Sequence, residues 1–369
     1  MIDKIWDHRP LFIVDSPIVA LILSLAIPRD CHFFIVLELK VGIDDQLPNF
    51  KATMLAILSE HTYTVFDQIF VPSPYFISGR NRCQKVRNLI LFSREVRSLF
   101  RVNDFNLLVG PATSSIFLCN PQIQRFVIDH GVGDYLKRKC QAGIFPLLAH
   151  CGKYLLFRLF KYPYAPLVDN HSLGFSLTAF KASNCTHVAL SDYCYPKAFD
   201  AVFKNLKASI DGYTKLTLVL PSAIAHSEDG FDRDTRPFDK INIDMILRSC
   251  NKDELILLKF HPTAFSSSIP VTLGDSLRAY GFHSLNIDDL LPGDYQGHLP
   301  VEIIAIALGI KKIVAEASAA LWNLASIDNV EVIADPVVFD GQFNRKFCSH
   351  SFCERMNLIS KYEVKILSR

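Results

Sequence analysis

Apolar and polar residues alternate between two periods along most of the chain. Leu11-Phe12-Ile13-Val14 is a short unbroken apolar run that stops at Asp15-Ser16-Pro17. A run of this kind, closed by turn residues, predicts a buried strand. Ser16 suits a helix N-cap and Pro17 the first helical turn, so Ile18 to Ile27 is expected to be a helix. His32 to Leu37 reads as the next strand, Ala52 to Ser59 as a helix and Val65 to Val71 as extended chain. Val86 to Phe100 has apolar residues at helical spacing, with Arg and Lys on the other face. Leu107 to Gly110 and Phe126 to Ile128 are short buried strands. The rhythm predicts a parallel sheet covered by helices.

The second half repeats it. Thr186 to Leu190, Lys215 to Leu220, Glu254 to Phe260, Lys312 to Glu316 and Val330 to Ala334 are expected strands. Val301 to Leu308 and Ala317 to Ser326 are expected helices. Residues 226 to 240 are polar and rich in Asp, which predicts an exposed loop. Between the halves, residues 143 to 167 interleave aromatic and aliphatic side chains with Lys153, Arg158 and Lys161. They suit a core helix with an interdomain linker, or a basic, aromatic patch lying on an anionic membrane surface. Pro163 and Pro166 mark a boundary. A chain of 369 residues is long for one core. Two α/β domains are therefore expected, 1–165 and 166–369, with the option that the last helix packs back on the first. No internal repeat is visible.

Composition narrows the class. Half the residues are hydrophobic, which argues against a disordered chain, and a net charge of +2 gives no support for a dedicated nucleic-acid binder. Ten cysteines lie scattered, without paired or metal-ligand spacing. That suits a reduced chain with no disulfide framework and no zinc module. Charges interrupt every apolar run before membrane-spanning length, and the start does not read as a signal peptide. A cytoplasmic protein is expected, with peripheral contact on the inner face of the cytoplasmic membrane as the variant reading.

Two segments carry candidate chemistry, each just after a buried strand, where open α/β sheets bind ligands. The first is Asp129-His130-Gly131-Val132-Gly133-Asp134-Tyr135. A strand-end carboxylate beside a glycine can take a proton from a substrate hydroxyl, and it also reads as a capping Asp. His130 is the other base candidate, but neighbours on a strand point to opposite faces. The second segment is Lys259-Phe260-His261-Pro262. Pro262 biases His261 toward extended geometry, and an imidazole fixed there can hydrogen-bond a phosphate or protonate it as it leaves. A structural histidine is the plainer alternative. Lys259, two residues earlier, is expected on the same face as His261, its charge toward a ligand or toward solvent. Glu302, after Pro300-Val301, suits either the dipole of a helix start or hydrogen bonds from ribose hydroxyls. Ser318 suits either an N-cap or a phosphate donor. Asp232-Arg233-Asp234 imitates a metal-nucleotide motif, but no strand precedes it. There is no Walker loop, no GxGxxG after a strand and no HExxH.

As an ordered set these residues resemble the bacterial sialyltransferases, and most of all the capsule-type alpha-2,8-polysialyltransferase group. Asp129-His130-Gly131 with Tyr135 is similar to their acidic-acidic-Gly motif, Lys259-Phe260-His261-Pro262 to their His-Pro motif. Pro300-Val301-Glu302 and Ser318 are similar to the later Pro-x-Glu and serine segments. The opening Ile13 to Pro17, with Ser16 near the cleft, is similar to the family's start. His130 replaces the second acidic residue, and Ala319 stands where relatives often carry a second hydroxyl.

The resemblance implies a GT-B fold, two Rossmann-like domains with parallel sheets facing across a cleft. It implies inverting transfer of a sialic or other nonulosonic acid from a CMP-sugar to a cell-surface glycan or glycolipid. Asp129 would be the base and His261 would stabilise the departing CMP. Ser318 would hold the phosphate, Glu302 the ribose, and the backbone near Lys259 and Pro262 the cytosine. His130, Gly131 and Tyr135 would line the acceptor side. No cofactor or metal is called for, because imidazole and helix end can carry the leaving charge. A CMP-Kdo transferase, a nucleotide-sugar epimerase or hydrolase, and a catalytically silent glycan binder are the rivals. Arg80, Arg82, Lys85, Arg87, Arg94 and Arg97 suit a groove for a polyanion or a solvated helix face.

Overall fold

The computed structural model describes residues 3–41, 47–72, 104–111, 114, 116, 123–129, 174–176, 185–221, 226–227, 230–231, 236–261, 269–315, 318, 320–334 and 365–366. They form two compact units, each an α/β layer structure around a parallel sheet.

In the first unit the elements run α1 (Asp3–Trp6), β1 (Pro10–Val14), α2 (Pro17–Ala26), β2 (His32–Val41), α3 (Leu47–Ile57), β3 (Thr62–Pro72), β4 (Leu107–Pro111), β5 (Gln124–Asp129), β6 (Gly174–Ser176) and β7 (Cys185–His187). The sheet order is β3-β2-β1-β4-β5-β6-β7, and every pairing is parallel. The chain starts at the centre, runs out to β3, then returns to build the other side from β4. All five residues of β1 are buried, as expected of a central strand covered on both faces. Helix α2 starts with Pro17 at its first position, where a missing N–H costs nothing, and ends at Ile27, which precedes Pro28 and is extended. On β4, Gly110 has no room for a side chain. A Cβ there would lie 2.7 Å from Ile13 Cβ on the neighbouring β1.

The second unit runs α4 (Asp200–Ser209), β8 (Leu216–Leu220), β9 (His226–Ser227), β10 (Gly230–Phe231), α5 (Arg236–Ser249), β11 (Leu255–Leu258), α6 (Ile269–Ala279), β12 (His283–Asn286), α7 (Ile287–Leu290), α8 (Val301–Leu308), β13 (Lys312–Ala315), α9 (Ala320–Leu324), β14 (Glu331–Ala334) and β15 (Lys365–Ile366). Its sheet, β12-β11-β8-β13-β14-β15, is again parallel throughout and again starts at its centre. One core cluster joins Val219, Ile256, Leu258 and Val314 of the sheet to Ile246 of α5 and Leu273 and Leu277 of α6. Helix α8 stops at Gly309, whose φ of 63° is the left-handed cap that glycine takes without strain. At the amino edge of this sheet Glu254 accepts hydrogen bonds from Thr217, Asn251 and Lys312.

Several expectations shift. Among described residues the first unit reaches Val188 and the second begins at Ala189, past the expected 165/166 boundary. The reason is that β6 and β7 extend the first sheet. The strand expected over 186–190 stops at His187, and Leu190–Asp192 closes into a 3-10 turn. The expected loop 226–240 contains the β9/β10 hairpin, and its end already belongs to α5, where Pro237 fits the first turn. The helix expected over 317–326 is described only as Ala320–Leu324. The expected helix at 86–100 and residues 143–167 lie outside the described residues. So do the basic cluster and Asp232-Arg233-Asp234. The expected last helix lies outside the described residues, which after Ala334 include only β15.

Candidate functional site

Both sheets change direction once, and doubly wound sheets leave a crevice at that point beyond the carboxyl ends of their strands. In the second unit the change lies between β8 and β13, with β11 on the other side of β8. The chain leaving β11 carries His261 and the chain leaving β13 carries Ser318. Two strand spacings, roughly 10 Å, separate those two strand ends. His261 is exposed. Its approach is fixed, because the Lys259 amide continues the ladder to the Val219 carbonyl at 3.0 Å and Phe260 is buried in the core.

Lys259 does not do what its position in sequence suggested. Its side chain is 5% exposed and its ammonium donates to both Asp288 oxygens, at 2.9 and 3.0 Å. The charge faces neither ligand nor solvent. The alternation of faces that would pair Lys259 with His261 ends with the strand at Leu258. Beyond it, the parallel register of Leu258 with Asn286 brings Lys259 level with the start of α7 and its Asp288. Asp288 also accepts from the Gly297 amide at 2.9 Å. His298, next in the chain, is buried. Burial first and the Lys259 ammonium second hold its imidazole down at about 4, while Asp288 pulls the other way.

Glu302, in the first turn of α8, is 4% exposed and accepts a hydrogen bond from Asn323 Nδ2 at 2.7 Å. Burial pushes its pKa up, opposed by the Asn323 amide and its own backbone amide. Asn323 Oδ1 is buried and has no hydrogen-bond partner among the described residues. Ser318 lies two residues before the start of α9. Its Oγ accepts from the Ala320 amide at 3.3 Å and its carbonyl from the Leu321 amide at 3.1 Å.

In the first unit the change of direction lies between β1 and β4. Asp129 ends β5, the strand beyond β4, with Ser176 opposite it on β6. Ser16 stands at the N-cap of α2 and its carbonyl accepts from the Ala20 amide. Its hydroxyl caps nothing. It donates to Asp15 Oδ1 at 3.0 Å, since Asp15 is buried and a buried carboxylate needs donors. His130, Gly131, Tyr135 and Pro262 lie outside the described residues. Three groups at this edge, Asp15, Glu38 and Ser114, are not among the site residues expected from sequence. Glu38, fully buried in β2, accepts a hydrogen bond from Ser114 Oγ at 2.5 Å, and that oxygen accepts from the Ile116 amide. A lone carboxylate inside Phe33 to Leu39 was the available signal.

Among the described residues no three His, Cys, Asp or Glu side chains gather closely enough to hold a metal ion, and no helix is long and apolar enough to cross a membrane. No family model matches the sequence, and no curated protein does. Solved structures with a similar course of chain include an alpha/beta-galactoside alpha-2,3-sialyltransferase from the luminous marine bacterium Photobacterium phosphoreum. It is 10% identical over 97% of both chains, with a TM-score of 0.47. A sialyltransferase from Photobacterium damselae, in its GT-B domain, is 10% identical over 97% of this chain and 100% of that one, also at 0.47. The ADP-heptose lipopolysaccharide heptosyltransferase II of E. coli is 11% identical over 97% and 90%, at 0.37. The two parallel strand orders given above define the fold.

Proposed function

We propose that the chain is a GT-B glycosyltransferase of the sialyltransferase kind. It would move a nonulosonic acid from a CMP-sugar to a glycan acceptor with inversion. The observation that carries the reading is in the second unit. His261 and Ser318 leave the sheet on either side of β8, at the change of direction, and Glu302 opens the helix that leads into β13. That is where a doubly wound sheet takes a nucleotide. His261 would meet the phosphate of the departing CMP, and the Ser318 hydroxyl, whose oxygen already accepts a backbone amide, still has a proton to donate to it. Asp129 would take the proton of the acceptor hydroxyl. Glu302 would meet the ribose through its second oxygen. Backbone beside Lys259, not its paired ammonium, would read the base. The reading calls for no metal and places the reaction in the cytoplasm, with a cell-surface glycan under construction as acceptor.

The test is direct. Purified protein is given CMP-Neu5Ac or CMP-Kdo with mixed glycan acceptors, and CMP release is followed. Release with one donor and not the other fixes the sugar. Asp129→Ala and His261→Ala should each abolish transfer, and CMP binding should survive the first change better than the second. No release with either donor would end the proposal. Donor consumption that is the same with and without acceptor would favour a hydrolase or epimerase.

A further inference from the structure

The carboxyl edge of the second sheet holds an ion pair that a surface-seeking lysine would not form by chance. Lys259 and Asp288 are both withdrawn from water, at 5% and 0% side-chain exposure. Bringing two charges inside costs several kcal/mol each, repaid only when geometry and further hydrogen bonds satisfy them. Here they are satisfied in a particular way. Lys259 spends two donors on Asp288 and approaches the Phe260 carbonyl at 3.4 Å, the carbonyl directly before His261. Asp288 is itself pinned, its amide donating to Asn286 Oδ1 at 3.3 Å, and it accepts the Gly297 amide. Gly297 starts the short segment Gly297 to Pro300 that enters α8 and delivers Glu302. All of Gly297, His298, Leu299 and Pro300 are buried. One carboxylate therefore ties together the turn that presents His261 and the segment that presents Glu302, from two elements that do not pair in the sheet.

Pairs like this are weak sources of net stability, because apolar groups of similar volume serve as well. Their specific effect is to fix geometry. Sites that bind by preorganised contacts depend on such supports, since small misplacements reduce binding and turnover sharply.

We propose that Asp288, acting through Lys259 and the Gly297 amide, is a positioning residue that sets the spacing between His261 and the Glu302 helix for a nucleotide monophosphate. The proposal rests on the donor-site reading above and names the support on which that site depends. Neither side chain touches the ligand.

Calorimetric titration with CMP tests it. Lys259→Met/Asp288→Leu removes both tethers and exchanges the pair for apolar side chains, a change that buried pairs often tolerate. The expected result is CMP binding weakened by about tenfold, with the added loss shrinking to less than about twofold on a His261→Ala background. That shrinkage is the signature of action through His261, and a merely structural pair would not produce it. Binding within about twofold of wild type, or losses that multiply independently of His261, overturns the proposal. Should the double variant fail to fold, amide exchange in the wild type decides. The Gly297 amide is expected to be protected before CMP is added and unchanged after it, and free exchange without CMP overturns the proposal. Failure of wild type to bind CMP overturns the donor-site reading, and this inference with it. Intact wild-type binding beside an unaffected variant overturns this inference alone.

Discussion

Replacing His298 should flatten the acid limb of the second unit's stability. In the folded protein its imidazole titrates at about 4 against an ordinary 6.5, chiefly through burial and then through the Lys259 ammonium, with Asp288 opposing. The unfolded chain therefore binds the proton first. Stability tied to this residue is fully present above pH 6.5 and is lost as pH falls toward 4. A gap of that size corresponds to about 3 kcal/mol once both states are protonated, and to roughly 1.4 kcal/mol per pH unit inside the window. The assay is urea unfolding between pH 4 and 8, followed by tryptophan fluorescence in a Trp6→Phe background. Trp6 lies in the first unit and Trp322 in α9 of the second, so the remaining signal reads the second unit. His298→Asn removes the titration, and its curve should run flatter than wild type by about one proton's slope between pH 6.5 and 4. Glu254, whose pKa the fold lowers, also destabilises toward acid, but equally in both proteins. Glu302 works in the opposite sense. Its raised pKa favours the fold at low pH and that contribution fades as pH climbs through the shifted value. Wild-type and variant curves that fall in parallel would refute the reasoning.

Gly110→Ala should cost about 1–3 kcal/mol in the first unit, because the new Cβ meets Ile13 Cβ at 2.7 Å and neither atom can swing away; chemical denaturation measures it. Cys250, buried beside the sheet with its thiol pushed up to about 12, should resist Ellman's reagent at pH 8 until denaturant is added, while exposed Cys194 reacts at once. Glu254→Gln leaves Lys312 beside Thr217 without its carboxylate, and a loss of about 1–3 kcal/mol is expected in thermal melts.

The sheet cores were legible because buried parallel strands are written as unbroken apolar runs. Leu11 to Val14, Lys215 to Leu220 and Val330 to Ala334 fall within a residue or so of β1, β8 and β14. Helix α8 was read to the residue, since Pro300 and Gly309 punctuate both ends. Elements with weaker patterns were missed. Helix α4 shows only Val202, Phe203 and Leu206 to the core, and β12 has the half-exposed sequence His283 to Asn286. At the candidate site, sequence could place His261, Glu302 and Ser318 near the carboxyl edge of their sheet. It could not foresee that Lys259 would be drawn inward, because its partner Asp288 lies 29 residues away and meets it only through the register of β11 with β12. Ser16 shows the same limit in miniature. Its place at the N-cap was clear, but its hydroxyl answers to the buried charge of Asp15.

The cluster of Thr217, Asn251, Glu254 and Lys312 sits at the opposite end of the second sheet from His261 and Ser318. The Glu254 network and the proposed donor site thereby occupy opposite rims of one scaffold. Under the proposed function, stabilising changes around that rim that keep the Glu254 carboxylate should leave CMP-sugar binding as it was. Under the same proposal, attempts to redirect donor specificity belong on the other rim, beside the buried Lys259–Asp288 pair.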